Sequence, residues 1–109
     1  MDRLNKYQTI ISDVLEEVAK QVQSALIEAL LSIDHIHRQY ILMTDGWEDT
    51  KRYYTPLVHV DLKEDAKVWL RCDNTDLEIG QMLIDRGIAV QDIVPAFYSP
   101  KMRKYANVS

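Results

Sequence analysis

The chain has 109 residues, is 47% hydrophobic and 28% charged, and carries a net charge of −4. That size gives one domain, residues 1–109, with a real but small core, and that apolar content excludes a disordered chain. The acidic balance lacks the broad basic field of a duplex binder. Cys72 is the single cysteine, so no internal disulfide forms. No apolar run approaches the roughly 18 residues of a membrane span, and no signal peptide heads the sequence, so a cytoplasmic protein is expected.

In chain order, Leu4, Tyr7, Ile11, Val14, Leu15, Val18 and Val22 recur at three- and four-residue steps. This predicts an amphipathic first helix, capped by Asp2. Residues 23–33 contain neither Gly nor Pro. Local signals lean to a helical extension, which Ala, Leu and Glu favour, although the stretch also alternates as a strand would, with Ile27, Ala29, Leu31 and Ile33 on one face. Asp34–His37 reads as a turn, and Tyr40–Met43 as a strand. Asp45-Gly46 is a turn or bulge signal. Tyr53-Tyr54-Thr55 begins another strand, where Pro56 implies an edge or a bulge.

Leu57–Leu62 and Lys67–Cys72 alternate around the charged turn Lys63–Ala66. Val58, Val60, Leu62, Val68, Leu70 and Cys72 form the expected apolar face, opposed by His59, Asp61, Lys67, Trp69 and Arg71. A second helix is expected from Asn74-Thr75-Asp76, with a Thr75-x-x-Glu78 capping box and Gly87 as its C-terminal stop. The predicted fold is α+β: a long N-terminal helix and a second helix packed on an antiparallel sheet of about four strands.

Candidate chemistry is sparse. His35 and His37 share a turn with Asp34, but the further ligands of a metal site are missing, so they read as solvated. His59 and Asp61 share a strand face without a nucleophile beside them; they read as a polar face open to solvent or a partner. Cys72, on the apolar face, reads as a buried, inert thiol. Trp47, Tyr53, Tyr54 and Trp69, with nearby Lys51, Arg52, Lys67 and Arg71, would suit single-stranded nucleic acid. The acidic neighbours favour a protein interface instead. Lys101, Arg103 and Lys104 form a basic C-terminal tail on an acidic body. No phosphate loop, dinucleotide fingerprint or CxxC pair occurs, and no catalytic, cofactor or metal residue is assigned.

Together these pieces resemble the XisI family, the fdxN element excision controlling factors of cyanobacteria. The stretches that carry the resemblance are Tyr7–Val18, Asp45-Gly46-Trp47, Leu57–Asp61, Val68-Trp69-Leu70 and Leu77-Glu78-Ile79-Gly80. Leu83, Gly87-Ile88, Asp92-Ile93-Val94, Phe97, Pro100, Arg103 and Tyr105 complete it. Where the family has Phe-His, this chain has Phe97-Tyr98. The resemblance implies a strand over Ala25–Ile33. It also implies a non-enzymatic accessory factor that controls site-specific DNA excision through a companion factor (XisH-like) and a recombinase. Trp47, His59, Trp69, Tyr98, Arg103, Lys104 and Tyr105 become the candidate contact residues. A homodimer, covering the aromatic sheet face or the edge beside Pro56, is expected. The alternative is a nucleic-acid binder using the basic tail and the aromatic face.

Overall fold

The apolar stripe of the first segment becomes helix α1 (Arg3–Val22), which buries Tyr7, Ile11, Val14, Leu15 and Val18. The structure, a computed structural model, describes residues 2–103; Lys104 and Tyr105 lie outside them. The Asp2 carboxylate accepts the Asn5 N–H at 2.8 Å, as a first-turn cap should. The helix stops without Gly or Pro because side-chain oxygens just past its end capture the N–H groups of the next segment. Gln23 turns extended, and its amide oxygen accepts the Ala29 N–H at 2.9 Å. The Ser24 hydroxyl accepts the N–H groups of Leu26 and Ile27. These contacts favour a strand over a helical extension.

Five strands follow: β1 (Ile27–Asp34), β2 (Gln39–Glu48), β3 (Lys51–Leu62), β4 (Val68–Asp73) and β5 (Ile93–Pro95). They lie side by side in chain order. The first four are antiparallel neighbours. The fold is the expected α+β arrangement, with a strand over most of Ala25–Ile33. The sheet gains β5, which runs parallel to β4. Parallel pairing needs a crossover, supplied by α2 (Ile79–Asp85).

Four local expectations change. Asp45-Gly46 lies inside β2 rather than in a turn; the turn is Asp49-Thr50, with Asp49 at φ 56°. Gly46 is needed because a Cβ there would meet the Leu26 carbonyl oxygen at 2.7 Å. The Thr75–Glu78 capping box does not form. Instead Asp73, ending β4, accepts the Thr75 N–H and hydroxyl through Oδ1, and the Ile79 N–H through Oδ2. The helix therefore starts five residues later than Asn74, after Glu78 in a left-handed conformation at φ 56°. Finally, Cys72 is not on the apolar face. His59 pairs with Cys72 but Val60 with Leu70, so Arg71 is an extra residue. This bulge moves Cys72 to the His59 side and Asp73 to the Val58 side. Gly87 performs as expected: at φ 121° it lets Ile88 N–H reach the Leu83 carbonyl and its own N–H reach that of Ile84.

A second bulge skips Leu57, because Leu42 pairs with Val58 and Met43 with Pro56. The core lies on one side of the sheet, between α1, α2 and the buried side chains of Tyr40, Leu42, Val58, Val60, Leu62, Val68 and Leu70. Tyr40 is fully buried and its hydroxyl has no hydrogen-bond partner among the described residues; burial pushes its pKa up to about 12.

One polar latch closes the far edge of this core. Asp92 is 3% exposed. It accepts the Tyr7 hydroxyl at 2.6 Å and the Lys67 ammonium at 3.3 Å. The same Tyr7 oxygen accepts the Ala89 N–H. The latch ties α1 to the 3-10 turn before β5. Burial works to raise the Asp92 pKa, but hydrogen bonds from Tyr7 and Lys67 outweigh it and hold the carboxyl below its ordinary value. A depressed carboxylate stabilises the fold above its unfolded value near 4, and that contribution disappears as pH falls through the lower folded value. Replacing Tyr7→Phe leaves the buried carboxylate and the Ala89 N–H short of partners, and is expected to cost about 1–3 kcal/mol in urea unfolding at pH 7. Asp92→Asn should lower stability at pH 7 and flatten the loss seen below about pH 4.

Candidate contact surface

The opposite face of the sheet is built by the alternate residues of each strand. Register places Leu30, Ile41, Met43, His59, Asp61 and Trp69 there. Among the described residues no helix packs across its middle; Leu30, Ile41 and Met43 stay partly exposed. At one end of this face a polar cluster is assembled from four elements.

Its centre is Asp61, only 6% exposed. Arg71 donates to Oδ2 from Nε at 3.1 Å and Nη2 at 2.8 Å. Lys63 pairs with the same oxygen at 3.0 Å. Gln39, directly across the ladder, donates from Nε2 to Oδ1 at 2.8 Å. Burial works to raise the Asp61 pKa, but Arg71, Lys63 and Gln39 outweigh it and hold the carboxyl below the usual carboxylate value.

Gln39 also joins the two residues that the sequence could only place on one face. Its Nε2 donates to the His37 carbonyl as well, so its oxygen faces His59 Nε2 at 2.8 Å. An amide oxygen only accepts, so His59 carries its proton on Nε2. Burial lowers the His59 pKa, the Asp61 carboxylate works to raise it, and Arg71 adds to the lowering. The imidazole is therefore neutral at pH 7.

Trp69 stands beside this cluster, paired across the ladder with Asp61. Three cations surround its ring: Arg71 at 5.1 Å from the centroid, Arg103 at 5.4 Å and Lys63 at 5.6 Å. Each lies within cation–π range. Arg103 comes from α3 (Pro100–Arg103). Its Nε donates to the Tyr98 carbonyl at 3.0 Å and its Nη2 to that of Ala96, which folds the start of the basic tail back onto the sheet. Tyr98 lines a neighbouring cleft of about 280 Å³ with Leu70, Asp73, Glu78 and Phe97.

Tyr98 meets this group only through its carbonyl on Arg103; the structure thus brings together His59, Trp69 and Arg103. It does not bring Trp47 to them. Trp47 is 56% exposed at the far end of β2, opposite Arg52. Eight residues of strand from Gln39 to Trp47 span about 26 Å. Tyr54 faces Asp45 and Tyr53 faces Gly46, so the two tyrosines point to opposite faces. The four aromatics are not one stacking platform. Gln39 and Lys63 were missed as site residues, and Arg71 was named only as a basic neighbour of the aromatics, because only the register and the bulge reveal that they meet Asp61.

Other candidates stay apart. His37 Nδ1 lies 2.7 Å from Asp34 Oδ2 in the exposed turn, while His35 packs edge-on to Tyr40. Among the described residues no group of three or more His, Cys, Asp and Glu side chains is arranged to hold a metal, and no helix is long and apolar enough to cross a membrane. Burial and the Asp73 charge push the Cys72 thiol pKa up, which disfavours the reactive thiolate.

A model of the XisI protein family matches residues 1–109. The chain belongs to the XisI family. A solved XisI-like protein from Anabaena variabilis ATCC 29413 is 31% identical and superposes with a TM-score of 0.85, with 94% of each chain covered. The fdxN element excision controlling factor XisI from the same organism is 25% identical, with 96% of each chain covered and a TM-score of 0.82. No protein with a curated description matches. In this XisI family member the matched Trp69, Asp61 and Arg103 are the members of one cluster, although they lie far apart in sequence.

Two measurements check the cluster. By NMR titration the His59 ring should show a midpoint below 6.5; one at or above that value would contradict its neutral, half-buried setting. Arg71→Gln should cost about 1–3 kcal/mol in urea unfolding, because Asp61 stays buried with a weaker partner set.

Proposed function

We propose that this XisI family member is a non-enzymatic accessory factor that controls site-specific excision of a DNA element through protein contacts. Its partners are a companion factor, XisH-like, and the recombinase that cuts and rejoins the DNA. The observation that carries this reading is the Trp69 patch. It belongs to a family with a solved relative named an excision controlling factor, and its chemistry is that of a recognition surface.

The polar side chains around Trp69 are engaged with one another. Asp61 is held by two cations and an amide. His59 is tied to Gln39. What the patch offers outward is a partly exposed indole ringed by three cations, set against one buried carboxylate. Aromatic and arginine side chains on a semi-rigid sheet are the usual anchors of protein interfaces. The excess of cations favours a partner surface that presents carboxylates or carbonyl groups.

The same local excess of cations supports a second reading, a nucleic-acid contact at Arg103 and the tail. A duplex contact would show a steep fall in affinity with salt, and Arg103→Ala would reduce both the affinity and that slope.

Co-purification from the native cell separates the two. Wild-type protein should recover the companion factor or the recombinase after nuclease treatment, and the double variant Trp69→Ala, Arg103→Ala should recover about tenfold less. Recovery of neither protein by the wild type would remove the adaptor reading. A salt-sensitive DNA complex in its place would establish the second.

A further inference from the structure

The hairpin of β2 and β3 extends past its neighbours. β1 pairs with β2 only as far as Gly46, and β4 pairs with β3 only as far as Val58. Among the described residues, the outer side of β3 from Lys51 to Thr55 faces no strand. This arm carries Trp47 and Tyr54, both more than half exposed, and the partly exposed Tyr53.

Which backbone groups are open follows from the hairpin geometry. Glu48 and Lys51 close the two-residue turn and form a hydrogen-bonded pair. Antiparallel pairs then alternate, so Lys51, Tyr53 and Thr55 bond inward to β2. Arg52 and Tyr54 point their N–H and C=O groups outward. Pro56 continues the alternation: it needs no inward N–H, and its outward carbonyl accepts the Asn74 amide at 3.1 Å. Asn74 N–H closes the Leu57 carbonyl at 2.8 Å. Asn74 therefore seals the edge at Pro56 and Leu57, and Lys51–Thr55 is the open segment.

We propose that two copies of this chain pair through this segment, β3 against β3, antiparallel about Tyr53. The register is self-complementary, as a two-fold interface requires. Arg52 lies opposite Tyr54 of the second copy, and the open groups of the two residues satisfy one another. Lys51 lies opposite Thr55 and Tyr53 opposite itself, so no like charges face each other directly. Within one chain Arg52 already stacks on Tyr54 at 4.7 Å and pairs with Asp45 at 3.0 Å. Pairing brings the Tyr54 ring of the second copy beside Arg52 on the same face of the sheet. The Asn74 seal limits the overlap, so a longer strand from an unrelated protein would run into it. This surface is separate from the Trp69 patch and does not rest on the adaptor reading.

Sedimentation at micromolar concentration should give twice the 12.7 kDa chain mass. Tyr54→Pro should return the mass to that of one chain with an unchanged circular dichroism spectrum, because the Tyr54 N–H makes no bond to β2. Register is read by cross-linking in a Cys72→Ser background. Tyr53→Cys places a thiol opposite its own mate, within disulfide reach, and should couple readily. Lys51→Cys places thiols about 14 Å apart along the strands, beyond the roughly 7 Å Cα limit of a disulfide, and should couple at least tenfold more slowly. A wild-type protein with the mass of one chain overturns the proposal. So does a dimer that survives Tyr54→Pro, or one in which Lys51→Cys couples as fast as Tyr53→Cys.

Discussion

A carboxylate buried beneath an open sheet face must gather its own counter-charges, and Asp61 does so. It draws Arg71 and Lys63 inward and fixes Gln39 across the ladder. Those two cations then flank Trp69, and α3 brings Arg103 to the same ring. Without Asp61 the two cations would repel each other on one ring. One desolvated charge thus organises the indole, the guanidinium groups and, through Gln39, the tautomer of His59. Partly buried pairs of this kind keep their strength at salt levels that screen exposed pairs.

The opposite face explains how so small a chain holds that arrangement rigid. α1 spans the sheet with five fully packed side chains. The Tyr7–Asp92 latch fixes β5 beside β4, and β5 leads directly into the segment that delivers Arg103. Burial of the core and order in the contact patch are therefore linked through one hydroxyl–carboxylate bond. The β2–β3 arm lies outside this frame and, among the described residues, has no helix behind its tip. The two surfaces consequently divide the molecule: one is braced by the core, and the other is an extended ribbon with an open edge.

Much of the fold was legible in the chain. The first helix, the alternation of Leu57–Leu62 and the Gly87 stop follow from periodicity and from glycine's freedom at positive φ. Local propensity leans the wrong way over Ala25–Ile33, toward helix, and only the family resemblance points to the strand found at Ile27–Asp34. What local patterns could not show was long-range register. The Arg71 bulge reverses Cys72 and Asp73, and Asp73 then replaces Thr75 as the cap of α2. β5 was hidden because three residues carry no period. His59, Trp69 and Arg103 were singled out separately; that they form one cluster, and that Gln39 links it, depends on which residues face one another across strands.

On the proposed function the Trp69 face meets the companion factor, and the Trp47 arm, which pairs with a second copy of the chain, does not. The chain has two tryptophans, so 5-fluorotryptophan labelling gives one ¹⁹F resonance for each. Adding unlabelled companion factor should shift the Trp69 resonance and leave that of Trp47 in place. A complex that forms with the Trp69 resonance unmoved would contradict the account.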